Sequence, residues 1–154
     1  MPNRSSTAIL KAIKEKNSAY WEQVRKRRAL DLFHRAAKEV PAYKDFLKKA
    51  RIQPNKIKNF ADFQKVLPVN KDNYLRSYPL EKLCLPNTLS TESLVLTSTS
   101  GSTGTPFYFP RNGKLDIQSS IYHQFFLENT HLDKSKPTLV LICFGMGVWI
   151  GGVI

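Results

Sequence analysis

The feature that most constrains the fold is a short segment, residues 97–106, that is rich in glycine and hydroxyl side chains. No glycine precedes Gly101 in the chain, and Gly104 follows it three positions later. Residues 93–96 on one side and 107–109 on the other are mostly apolar, aromatic or β-branched, which is typical of strands. We therefore expect a β-hairpin whose loop is formed by this segment.

The composition of this loop suits an anion. Glycine lets backbone N–H groups approach an anion closely, and Ser and Thr add hydroxyl donors without bulk. The segment is not the common phosphate loop, because its glycines are too close together and no lysine follows Gly104. The dinucleotide-binding fingerprint is also absent here. A flexible Ser/Thr/Gly linker is the alternative, although linkers seldom lie between two strand-like runs.

Residues 99–106 resemble the phosphate-binding motif of the adenylate-forming superfamily, which includes acyl- and aryl-CoA ligases. The family pattern Thr-Ser-Gly-Ser/Thr-Thr-Gly-x-Pro-Lys agrees with these positions, but Phe107 stands where the final lysine would be. The branch similar to phenylacetate–CoA ligase often lacks that lysine. The resemblance implies that ATP binds through Thr99, Ser100, Gly101, Ser102, Thr103, Gly104 and Thr105.

Three other segments resemble the same branch. Residues 40–43 (Val-Pro-Ala-Tyr) and 67–71 (Leu-Pro-Val-Asn-Lys) are similar to elements that precede the loop in phenylacetate–CoA ligases. Residues 144–152 are similar to the segment that walls the acyl pocket in those enzymes. The resemblance implies that the substrate carboxylic acid would contact Phe144, Gly145 and Met146.

The activity that the resemblance implies is that of an ATP-dependent carboxylic acid–CoA ligase, which forms an acyl-adenylate. Its cofactors would be ATP, Mg²⁺ and coenzyme A, and its partners a nucleotide and a small carboxylic acid. The loop would hold phosphates without supplying a base, so no catalytic residue and no metal ligand is assigned. We expect the N-terminal part of such an enzyme, inactive alone, because the ribose-binding, adenine-binding and catalytic-lysine regions are not recognised.

The fold class we expect is α/β, with a helical N-terminal region followed by a hairpin, a helix and a buried strand. By the resemblance this is the incomplete start of the N-terminal domain of adenylate-forming enzymes. We expect residues 1–17 to be a flexible terminus and 18–154 to belong to that domain. The apolar periodicity and the capping and proline positions predict the following elements: helices over 18–40, 41–49 and 115–129, helix starts capped by Asn59 and Asn70, a turn at 112–113 and a strand over 138–144.

The charge of the chain leaves a second class of function open. The net charge is +12, and residues 1–85 contain 20 Lys and Arg against 8 Asp and Glu. The run from Arg25 to Arg28 is either a patch for nucleic acid or anionic lipid, or a solvated helix face. We favour the solvated face and expect no nucleic acid, because the run is short and has no interleaved aromatics.

A membrane anchor is a further alternative, since residues 138–154 carry no charge and contain a Gly-x-x-x-Gly pair at Gly147 and Gly151. Dense glycine and β-branched residues argue against it, so no membrane is expected. Cys84 and Cys143 lack metal-ligand spacing, which favours two buried thiols in a reduced, cytoplasmic protein. The alternative to the ligase is therefore a basic or membrane-anchored binding module without catalysis.

Overall fold

The computed structural model describes residues 6–86, 88–91, 93–99, 105–130, 135–139, 141 and 143. These residues form helices and a two-stranded antiparallel sheet, which agrees with a mixed α/β class. The chain divides into two compact units. The helical unit comprises residues 16–91, and the hairpin unit comprises residues 1–15 and 92–154. This division differs from the expected flexible terminus and single domain.

The elements of the described residues follow one another in chain order, with most helices before the sheet. They are α1 (Ser6–Glu15), α2 (Ser18–Glu39), α3 (Pro41–Lys49), a 3₁₀ turn at Pro54–Lys56, α4 (Phe60–Phe63), a π-helical turn at Lys71–Leu75, α5 (Leu80–Leu83), α6 (Thr88–Thr91), β1 (Leu94–Ser98), β2 (Tyr108–Asn112) and α7 (Gly113–Glu128). Helices α2 and α3 and the hairpin occur where the sequence predicts them.

Helix α2 begins at Ser18, as predicted, and the residue before it caps the helix. The side chain of Asn17 accepts a hydrogen bond from the N–H of Tyr20 at 3.0 Å, so Asn17 is the N-cap and Ser18 is the first helical residue. Such a cap satisfies one of the amides that a first turn leaves unpaired. The helix ends at Glu39 with Val40 as its C-cap, and Pro41 begins α3, where its missing N–H is tolerated.

Two asparagines cap the turns that follow, as the sequence predicts. The side chain of Asn59 accepts from the N–H of Asp62 at 2.9 Å, and the Asp62 carboxylate accepts from the N–H of Asn59 at 3.3 Å. Asn70 and Asn73 form the same reciprocal pair at 2.8 and 2.7 Å. Each capping box satisfies two backbone amides, so the short turns form without a long amphipathic face.

The helical unit is held by a compact core of aromatic and aliphatic side chains. Its buried members are Phe33, Ala42, Phe46, Leu47 and Tyr74. The ring of Tyr74 meets those of Phe46 and Tyr43 edge-on, with centroids 5.5 and 5.9 Å apart. Such edge contacts add to the area that the rings bury. Burial raises the pKa of Tyr74 to about 12, so its hydroxyl stays neutral at physiological pH.

The hairpin unit includes a helix where a flexible terminus is expected. Helix α1 forms within residues 1–17 and contacts α7. Its alanines and isoleucines at positions 8, 9, 12 and 13 recur at helical spacing, which accounts for the helix. The predicted turn at 112–113 is also a helix start, because the side chain of Asn112 accepts from the N–H of Leu115 at 3.2 Å and caps α7.

The strand predicted over residues 138–144 is not present at the positions that the structure describes. Leu139 and Leu141 are 85% and 76% exposed and lie outside any strand. A strand that is buried on both faces needs neighbouring strands, and β1 and β2 pair with each other in a sheet of two. The remaining residues of this prediction, 140, 142 and 144, lie outside the described residues.

Candidate functional site

The candidate site is the end of the hairpin from which the loop of residues 100–106 departs. Strands β1 and β2 pair antiparallel, with Leu94 opposite Asn112 and Ser98 opposite Tyr108. Apolar, aromatic and β-branched residues on both sides of the loop predict a hairpin, and the structure confirms the pairing. The two strands therefore bring both ends of the loop to one place.

Two hydrogen bonds close the neck of the loop immediately beyond the last strand pair. The N–H of Thr99 donates to the carbonyl oxygen of Phe107 at 3.0 Å. The N–H of Phe107 donates in return to Oγ1 of Thr99, also at 3.0 Å. Since the Thr99 oxygen accepts this bond, its own O–H remains able to donate to a ligand. The Thr99 hydroxyl can therefore hold the neck closed as an acceptor and still donate a hydrogen bond to a ligand.

The strands next to the neck carry buried polar side chains. Thr97 is fully buried, and its hydroxyl donates to the carbonyl oxygen of Phe109 at 3.4 Å. Ser98, at the end of β1, is 5% exposed. The hydrogen bond of the Thr97 hydroxyl fixes that side chain within the sheet, which favours a rigid base for the residues that follow.

An ion pair joins the second strand to the helix that follows it. Nη2 of Arg111 lies 3.2 Å from Oδ1 of Asp116, and the arginine side chain is 4% exposed. Asp116 is in the first turn of α7, where a negative charge also interacts favourably with the helix dipole. The arginine is buried whereas the Asp116 side chain is 41% exposed, and the contact links α7 to β2.

Two of the predicted ATP-binding residues are described, and they stand at opposite ends of the loop. Thr99 is half-buried at the neck, and Thr105 is exposed. The other five, Ser100, Gly101, Ser102, Thr103 and Gly104, lie outside the described residues, as do the predicted substrate contacts Phe144, Gly145 and Met146. Thr99 and Thr105 each carry a hydroxyl, a group that can donate a hydrogen bond to an anion.

Metal-ligand clusters and reactive cysteines are the other kinds of site that the described part of the chain could hold. Within it, no three His, Cys, Asp or Glu side chains come together as metal ligands. Cys84 is half-buried and Cys143 is exposed, so the expectation of two buried thiols is wrong for Cys143. Burial, followed by the charge of Glu81, raises the pKa of the Cys84 thiol. A raised pKa makes Cys84 a poor nucleophile at neutral pH.

Sequence reasoning did not identify Arg111 as part of the site. A single arginine just beyond the predicted strand of residues 107–109 gives no sign of burial, because arginine is usually exposed. The available signal was Asp116 in the first turn of the following helix, where it can reach back to the strand. The burial itself depends on how α7 packs against β2, which the local pattern does not specify.

Comparisons with known proteins give no relative for this chain: no family model, no curated protein and no solved structure matches it. Among the helices that the structure describes, none is long and apolar enough to cross a membrane.

Proposed function

We propose that this chain carries the phosphate-binding loop of an ATP-dependent carboxylic acid–CoA ligase of the phenylacetate–CoA ligase type. Residues 99–105 would bind the β- and γ-phosphates of ATP, with Mg²⁺ sharing their charge. The bound carboxylate would attack the α-phosphorus to give an acyl-adenylate and pyrophosphate, and coenzyme A would then take the acyl group. Phe144, Gly145 and Met146 would contact the acid.

The observation that supports this proposal is the closed neck of the hairpin. A linker would leave residues 99 and 107 independent, whereas here their backbones and the Thr99 hydroxyl are joined by two hydrogen bonds of 3.0 Å. Fixed ends reduce the conformational entropy that a loop loses when it orders around a ligand. Because no lysine follows the motif, neutral amide and hydroxyl donors would carry the phosphate contacts.

The direct test compares nucleotides that differ only in their phosphates. We expect ATP with Mg²⁺ to bind the chain in equilibrium dialysis at least about tenfold more tightly than AMP, because the loop reads the β- and γ-phosphates. The double variant Ser102→Ala/Thr103→Ala should remove most of that difference. Ser18→Ala, at an exposed position in the other unit, is the control. Equal binding of ATP and AMP, or an unchanged double variant, would contradict the proposal.

The alternative function, a basic binding module, is favoured by the charge of the helical unit. Residues 16–91 contain 17 Lys and Arg against 7 Asp and Glu. Binding to a labelled DNA duplex at two salt concentrations tests it, because contacts with phosphates weaken steeply as salt rises. Salt-sensitive duplex binding without ATP binding would favour the module over the ligase.

A further inference from the structure

The helical unit contains an open cleft of about 570 Å³ that belongs to neither the hairpin nor its loop. Its apolar lining includes Ala37 from α2, Leu47 from α3 and Ile52 after α3. Three cationic side chains, Lys44, Lys48 and Arg51, line the same cleft. The cleft therefore combines an apolar wall with a local excess of positive charge.

The positive charge of this cleft is not compensated from within. The residues that line it include no carboxylate. Asp45, the acidic residue of α3, forms its ion pair with Lys49, whose Nζ lies 2.7 Å from Oδ2. Lys44 and Arg51 form no ion pair with any residue that the structure describes, and Lys48 adds only a weaker attraction to Asp45. Three such charges around one cleft repel one another and favour an anion among them.

Arg51 holds an unusual backbone conformation at this cleft. Its φ is 56°, and no other non-glycine residue that the structure describes has a positive φ. Its N–H donates to the carbonyl oxygen of Lys48 at 3.0 Å, and the N–H of Ile52 donates to that of Leu47 at 2.9 Å. These two bonds form a Schellman motif at the end of α3, in which glycine usually occupies the position of Arg51. Arginine at this position leaves the backbone more strained than glycine would, and it places a guanidinium at the cleft.

The dipole of α3 accounts for only part of this arrangement. A cation near the last turn of a helix, such as Lys48, is stabilised by the partial negative charge of the helix end. Lys44 lies more than a turn before that end, where the effect has largely decayed. A dipole effect also does not require arginine at a position that suits glycine. The cluster of three cations therefore calls for another explanation.

We propose that this cleft binds a small organic phosphate monoester with an apolar body. The phosphate dianion would lie among the three cations, with the guanidinium of Arg51 as its principal donor because its geometry matches phosphate oxygens. The apolar body would contact Ala37 and Ile52, which are half-buried at the cleft. This site is distinct from the proposed ATP-binding loop, and its existence does not depend on that proposal.

The test titrates the whole chain with 1-naphthyl phosphate, using calorimetry for affinity and amide NMR shifts for location. We expect one site, with the largest shifts at residues 51–53. Inorganic phosphate, which lacks the apolar body, and 1-naphthyl sulfate, which lacks one charge, should each bind at least about tenfold more weakly. Equal affinity for inorganic phosphate, or shifts spread over the basic surface, would overturn the proposal and indicate general attraction of anions.

Variants separate this cleft from the loop and from loss of folding. Arg51→Ala and Arg51→Gly should each weaken 1-naphthyl phosphate binding about tenfold or more, because each removes a charge-assisted hydrogen bond. Lys65→Gln, an exposed lysine outside the lining of the cleft, should change binding less than about twofold. The loop variant Ser102→Ala/Thr103→Ala should bind the probe as the parent chain does. Unchanged binding in both Arg51 variants, each with a native circular dichroism spectrum, would overturn the proposal.

Discussion

The hydroxyl of Tyr78 donates a hydrogen bond to Oδ2 of Asp45 at 2.8 Å, although the two residues are 33 positions apart in the chain. The same carboxylate oxygen lies 2.7 Å from Nζ of Lys49, and that ammonium group lies 5.1 Å from the centre of the Tyr78 ring. These contacts join α3 to the segment that follows the π-helical turn. They extend the core of the helical unit with a polar cluster at its edge.

Removing the Tyr78 hydroxyl should raise the pKa of Asp45. Two hydrogen bonds lower that pKa in the folded chain. The bond from Lys49 makes the larger contribution and the bond from Tyr78 the next largest. A lowered pKa means that the carboxylate contributes stability above its unfolded pKa of roughly 4, which is lost as pH falls through the folded value. In Tyr78→Phe the ring and its contact with Lys49 remain, so the pKa should rise only part of the way to its ordinary value.

Carbon-13 NMR titration of the Asp45 carboxyl measures this change directly. Lys49→Met is the companion variant, and it should raise the Asp45 pKa more than Tyr78→Phe does, because the lysine makes the larger contribution. An Asp45 pKa that is the same in Tyr78→Phe and in the parent chain would show that the hydroxyl does not bind the carboxylate in solution.

Leu47→Ala should destabilise the helical unit by about 2–5 kcal/mol, because it leaves a cavity in a packed core. Leu47 is 1% exposed in the core around Phe46 and Tyr74. Leu32→Ala is the matched control, since that leucine is also helical but 68% exposed, and it should change stability by less than about 0.5 kcal/mol. Urea unfolding followed by circular dichroism compares the two. Equal losses in both variants would contradict the assignment of the core.

Local chemistry explains most of what the sequence predicts correctly. Asn59 and Asn70 cap turns because their side chains reach amides only two or three residues away. Pro41 begins a helix because of its own fixed φ. Glycine and hydroxyl residues between apolar runs likewise predict a hairpin without knowledge of the rest of the fold.

Features that depend on distant partners were not predictable in this way. The cap at Asn59 predicts where α4 begins but not that the helix ends at Phe63, with Leu67 49% exposed beyond it. The burial of Arg111 depends on the packing of α7, and the exposure of Leu139 depends on the strands available to cover it. The cleft cations Lys44, Lys48 and Arg51 are four and three residues apart, so helical spacing places them on one face, whereas the cleft beside them also needs Ala37 from α2.

Thr99→Val should loosen the neck of the hairpin. Valine keeps the branched shape of threonine but removes the oxygen that accepts from the N–H of Phe107 at 3.0 Å. The loss of roughly 0.5–1.5 kcal/mol should speed hydrogen exchange at the Phe107 amide by roughly 2–13-fold. The amide of Arg111, within β2 and away from the neck, is the internal control. Unchanged exchange at Phe107 would show that the side-chain bond does not hold the neck closed.

The two cysteines should differ in their rates of alkylation. Cys84 is half-buried with a raised pKa, whereas Cys143 is exposed, and the thiolate is the form that reacts. Iodoacetamide at pH 8 should therefore modify Cys143 several-fold faster, as measured by mass spectrometry of the two peptides. Cys84→Ser should leave the rate at Cys143 unchanged. Faster modification of Cys84 would contradict the burial of its thiol.

Arg51→Gly should make the helical unit more stable, which is the reverse of what most substitutions do. Glycine adopts a φ of 56° without the clash that an L side chain meets there, so the folded state should gain about 1 kcal/mol. Arg51→Ala keeps the clash and should show no such gain, so the pair separates backbone strain from loss of the guanidinium. Thermal and urea unfolding measure both variants. A gain in stability combined with weaker binding of 1-naphthyl phosphate would mean that arginine is kept at this position for its ligand and at the expense of the fold, whereas no gain in Arg51→Gly would mean that the chain bears no strain at the end of α3.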